Sequence, residues 1–120
     1  MARRTDPEAG LQAVRAWQSG DADSKAVRTA VRYTLELLAA EHPGHSVEVR
    51  VPPAGVVQAV RGPRHTRGTP PNVVETDPQT WLALAVGQLT WDGAVESGAV
   101  NASGQRGSLA EFLPLLASRS

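Results

Sequence analysis

Few side chains in this sequence have the type and spacing that chemistry needs. The histidines are His42, His45 and His65. His42 and His45 lie about the EHPG segment (Glu41 to Gly44) with no third ligand near them in sequence. A metal site needs three or four ligands of defined geometry, so they read as turn histidines. Glu75 and Asp77 form a carboxylate pair, but Asp77 stands directly before Pro78 and an apolar run. That is the place of a helix N-cap followed by a proline at the first helical position, and the cap explains Asp77 better than general acid–base work does. There is no GxSxG elbow, no GxxxxGK[ST] phosphate loop and no GxGxxG. The absence of cysteine removes both a disulfide scaffold and a thiolate zinc site. No catalytic residue, metal or cofactor is expected.

One polar stretch stands out. GPRHTRGTPP (Gly62 to Pro71) follows Arg61 and places Arg64 and Arg67 close behind it. It reads either as a solvated connection or as an anion clamp at a pocket mouth, with Arg64 and Arg67 pairing to a carboxylate or phosphate. The tryptophans Trp17, Trp81 and Trp91 read as core or interface anchors, with the lining of a ligand cavity as the alternative for Trp81.

The elements that would position these residues follow from the hydrophobic period. Pro7 to Gln18 puts Leu11, Val14 and Trp17 toward one helical face, and SGDADS (Ser19 to Ser24) ends it. Asp23 or Ser24 caps a second helix in which Val27, Val31, Leu35 and Leu38 recur at helical steps, widened by Ala30, Thr34 and Leu37. Pro43 and Gly44 stop it. The period then becomes two: SVEVRV (Ser46 to Val51) is a strand with one wet face, and VVQAVR (Val56 to Arg61) a second strand, pairing antiparallel through a short turn. Asn72 to Thr76 gives a third strand.

From Asp77 a helix runs with Leu82, Ala85, Val86 and Leu89 on one face, while Leu84 points nearly the opposite way. A surface helix would carry a polar residue there, so this helix is apolar on more than one side. WDGAVESG (Trp91 to Gly98) leads to a last strand over Ala99 to Gly104, and Ser108 caps a final helix, SLAEFLPLL, striped by Leu109, Phe112, Leu113 and Leu116. This order makes an α+β domain with an antiparallel core sheet.

At 120 residues the chain reads as one domain, residues 1–120, with about 1–22 as an N-terminal helix or extension. Twelve basic residues balance twelve acidic ones, which argues against a nonspecific nucleic-acid binder. No secretory h-region follows the arginines of MARRTDPEAG and no run is long enough to span a membrane, so a cytoplasmic protein without integral membrane association is expected.

DPQTWLALAVGQLTWDGAVESGAVNASGQRGSLAEFLPLL (Asp77 to Leu116) resembles the C-terminal part of the sterol carrier protein-2 type fold. The shared pattern is an acidic cap, an apolar helix ending in Gly, a short Gly-containing segment, a strand, a turn and a Leu-rich end. With GPRHTRGTPPNVVETDP the chain, from about Lys25 to Leu116, is similar to short sterol-carrier-family proteins of actinobacteria. The resemblance implies a five-stranded, mostly antiparallel curved sheet with helices packed on one side. It also implies an apolar cavity, lined here by Trp81, Leu84, Ala85, Phe112 and Leu116. The function implied is a non-catalytic binding or carrier domain for a lipid, acyl or other hydrophobic small molecule. The alternative is a protein-interaction module or homodimer whose core is filled by its own side chains.

Overall fold

The computed structural model describes residues 4–62, 72–103 and 108–116. Two helices open the chain, α1 over Pro7–Gln18 and α2 over Ser24–Glu41. Strands β1 (Val47–Val51), β2 (Gly55–Ala59) and β3 (Asn72–Thr76) follow, then α3 (Pro78–Val86), α4 (Trp91–Glu96) and β4 (Val100–Ser103). A single 3-10 turn, Ala110–Phe112, comes last.

Each helix begins where a side chain satisfies an orphan amide. Asp6 accepts from the Ala9 amide at 3.0 Å, Asp23 from Ala26 at 2.8 Å and Asp77 from Thr80 at 2.7 Å. Thr90 does the same for α4, taking the Gly93 amide at 3.1 Å. These are the oxygen-bearing side chains that the N-cap position favours.

The sheet has four strands among the described residues, in the order β2-β1-β3-β4, where the resemblance implied five. β1 and β2 form the expected antiparallel hairpin, with Val51 opposite Gly55, and β3 and β4 are antiparallel too. β3 returns on the far side of β1 and runs parallel to it, Val47 opposite Asn72 and Arg50 opposite Glu75. The sheet is thus mostly antiparallel and open, and the fold is α+β.

Alternation sets its two faces. Val47, Val49 and Val51 of β1, and Val74 and Thr76 of β3, are buried, while Arg50, Gln58 and Glu75 are exposed. The dry face shares one apolar cluster with Val31, Leu35 and Leu38 of α2 and with Trp81, Leu82 and Leu84 of α3. On the wet face Arg50 Nε meets Glu48 Oε2 at 2.6 Å, and the Gln58 amide donates to Glu48 Oε1 at 3.4 Å. Both bonds hold the Glu48 carboxyl below its ordinary value, the Arg50 bond more strongly.

α1 packs along α2. Gly10 makes this approach possible, because a Cβ there would overlap the Cβ and ring of Tyr33. Ala13 and Val14 are buried, and Trp17 Nε1 donates to Gln79 Oε1 at 2.7 Å, tying α1 to the first turn of α3.

Three sequence expectations need correction. β2 ends at Ala59, not Arg61: Val60 turns to φ 71°, and its amide donates to the His42 carbonyl instead of continuing the strand. Trp91 to Glu96, read as a connection, is helical, started by the Thr90 cap. The final helix is absent: only Ala110–Phe112 turns, after which Leu113 is extended and Pro114 breaks any further ladder. Ser108 accepts from the Ala110 amide at 3.2 Å but caps no α-helix.

Candidate hydrophobic site

Apart from the Trp81 indole, α3 has no polar side chain after Thr80. A nine-residue helix with one apolar stripe would leave a side in water; here Trp81, Leu82, Leu84, Ala85 and Val86 are all buried. Leu82 and Leu84, which point nearly opposite ways on the helix, are 0% and 1% exposed. Trp81 is buried completely, and its Nε1 donates to Thr34 Oγ1 of α2 at 2.8 Å. The Thr34 hydroxyl lies 2.8 Å from the Ala30 carbonyl, so this polar contact inside the core is fully partnered. Gly87 ends the helix at φ 84°, a left-handed conformation that glycine adopts without steric cost.

The other wall is the C-terminal segment. Leu109 is buried and anchors its start. Phe112, Leu113, Leu115 and Leu116 are half-buried against the core cluster. Among the described residues, the backbone of this segment is tied to the rest of the chain by two hydrogen bonds. The Leu115 and Leu116 amides both donate to the Ala85 carbonyl, at 2.9 and 3.0 Å. That carbonyl lies in the last turn of α3, where the helix itself leaves carbonyls unpaired. Phe112 rests on the His42 ring, with centroids 4.7 Å apart and planes inclined by 56°.

The residues expected to line a cavity therefore divide between two walls. Trp81, Leu84 and Ala85 belong to the packed side and Phe112 and Leu116 to the cover, with Ala85 and Leu116 in direct contact. Trp81, Leu84 and Ala85 are 0%, 1% and 0% exposed. Arg64 and Arg67, expected as an anion clamp, lie outside the described residues. Neither the cover nor the Thr34 bond was legible beforehand: Thr34 read only as part of an apolar stripe, and the final segment as a helix.

Two recesses open elsewhere on the described surface. A cleft of about 310 Å³ is lined by Pro52, Glu75, Thr76, Asp77 and Asn101, with the Gly98–Ala99 backbone. A groove of about 620 Å³ runs between the start of α1 and the second half of α2. His42 and His45 do not converge on a metal: His42 faces Phe112, His45 Nδ1 lies 2.9 Å from Gln58 Oε1, and no cluster of three potential ligands occurs among the described residues. No helix there is long and apolar enough to cross a membrane.

No curated protein matches the sequence. A family model, described as bacterial SCP ortholog, matches residues 23–115, from the α2 cap to the cover over α3. An apolar helix held between an α+β core and a Leu-rich final segment falls inside that stretch, and the chain belongs to the bacterial sterol carrier protein family.

Proposed function

We propose that the protein is a non-catalytic carrier for a lipid, acyl chain or other hydrophobic small molecule, taken up between α3 and the segment 110–116. The observation that carries this reading is the attachment of the cover: two backbone hydrogen bonds converge on one carbonyl, Ala85, beneath half-buried leucines. A typical hydrogen bond contributes about 0.5–1.5 kcal/mol net, so two of them hold the segment only modestly. Segments held by few bonds and partial burial open at free energies well below that of global unfolding. Once the cover parts, the α3 side it leaves is apolar, and an acyl chain can replace the leucine contacts. Family membership supports a lipid-binding role of this kind.

Hydrogen exchange of the full chain, with and without hexadecanoate and hexadecanol, tests the proposal. Saturable binding should change exchange in 110–116 and in α3 together. Binding that leaves both segments untouched contradicts it.

A second reading is favoured by the closed core. With Trp81, Leu82 and Leu84 packed to within 1% of complete burial, the domain needs no ligand to fill it. Val56 and Val95, 56% and 42% exposed, would then belong to a contact with another protein or a second copy. Concentration-dependent dimerisation without hydrophobe binding would favour that reading.

A further inference from the structure

The groove between α1 and α2 does not border α3 or its cover. Pro7, Tyr33, Leu37 and Ala40 form its apolar floor, and Arg4, Thr5, Asp6 and Glu36 its polar rim. At about 620 Å³ it is as large as ordinary small-molecule sites. Residues 4–7 of its lining precede the stretch matched by the family model, while Tyr33, Glu36, Leu37 and Ala40 fall inside it.

The rim has an uneven supply of hydrogen-bonding groups. The carboxylates are engaged within the fold: Glu36 Oε1 accepts from the Thr5 amide at 2.8 Å and Oε2 from the Thr5 hydroxyl at 3.2 Å. Asp6 accepts from the Ala9 amide at 3.0 Å, where the positive end of α1 offsets part of its charge. Arg4 has no hydrogen-bond or ion-pair partner among the described residues. Its five N–H donors are the ones left open on the rim, and a planar guanidinium matches a carboxylate bidentately. An occupant must bring acceptors to that end and apolar surface to the floor.

We infer that this groove is a second ligand site, for a single-chain amphiphile with an anionic head: the chain lies over Tyr33, Leu37 and Ala40, and the head pairs with Arg4. The site stands independently of the carrier reading above, and its test separates the two.

Tyr33 is the only tyrosine in the chain, so its ring signals in NMR spectra of the full protein report groove occupancy without ambiguity. The probes are dodecanoate, dodecanol and dodecyltrimethylammonium below their aggregation concentrations. Dodecanoate should shift the Tyr33 signals saturably and bind more tightly than either other probe. Ala40→Trp, at an exposed position, should fill the groove and abolish the shift while leaving the melting temperature close to wild type. Arg4→Gln should weaken dodecanoate about tenfold, the size of a charge-assisted hydrogen-bonded pair, and leave dodecanol unchanged. Preference for the cationic probe, a shift that survives Ala40→Trp, or no saturable shift at Tyr33 overturns the site. Dodecanoate that perturbs only α3 and 110–116 also overturns it, and supports the carrier reading instead.

Discussion

Trp81 and Thr34, 47 residues apart, meet in the core through a 2.8 Å hydrogen bond from the indole Nε1 to the threonine hydroxyl. This contact fixes the rotation of α3 against α2. The Trp81 ring fills apolar space, while its one polar atom finds the buried Thr34 hydroxyl of the facing helix. Thr34→Val keeps the volume and removes the acceptor, stranding a buried N–H, and should cost about 1–3 kcal/mol in urea unfolding. Thr34→Ser should recover part of that loss. A valine variant as stable as wild type would show that the bond contributes nothing.

The start of α3 depends on Asp77. Its carboxylate accepts the Thr80 amide at 2.7 Å. Asp77→Ala should lower stability by about 0.5–2 kcal/mol, and Asp77→Ser should restore most of it, because serine caps nearly as well. Thermal melts followed by circular dichroism check both.

The seat of α1 depends on Gly10. A methyl group there would collide with the Tyr33 side chain near its root, where the ring cannot swing clear without losing its place. Gly10→Ala, which raises helix propensity by roughly 1 kcal/mol, should nevertheless destabilise the domain by about 1–3 kcal/mol. If the alanine variant is more stable, the α1–α2 approach is looser than described.

Acid should weaken the wet face of the sheet. The bonds from Arg50 and Gln58 hold the Glu48 carboxyl below its ordinary value, so folding favours its ionised form. That contribution is fully present above the unfolded value of about 4.3 and is lost as the pH falls through the lower folded value. Glu48→Gln should therefore be slightly less stable than wild type near pH 6, with the gap closing as the pH drops below about 4. The Arg50 side chain is 46% exposed, so the gap should be small and should shrink further in salt. A gap that widens in acid would contradict the assignment.

What could be read in the sequence was whatever local chemistry decides. Asp77 and Pro78 mark the start of α3 by cap preferences alone, whereas the helix stops at Val86, short of the expected Leu89, and the alternation of Val47, Val49 and Val51 marks a half-wet strand. The hairpin of β1 with β2 follows from its short turn. The errors fall where tertiary contacts override the local pattern. The apolar spacing of Leu109, Phe112, Leu113 and Leu116 is helical, yet the segment after Phe112 gives its amides to the Ala85 carbonyl of another element. Val60 continues an apolar strand pattern, yet its amide turns to His42. The helix that Thr90 caps is only six residues long, too short to show a hydrophobic period. The parallel return of β3 beside β1 has no local signature. Of the candidate site, the apolar helix was legible and its cover was not.

Native mass spectrometry of the purified full chain, before and after addition of hexadecanoate, tests the carrier claim most directly because it reports bound hydrophobe and oligomeric state together. To keep the α1–α2 groove out of the result, the measurement is made on the Ala40→Trp variant. The account predicts a monomer holding one hydrophobic molecule, with Phe112→Ala and Leu116→Ala in that background reducing the bound fraction. A bare chain at every hexadecanoate concentration, or an adduct indifferent to both cover substitutions, would contradict it.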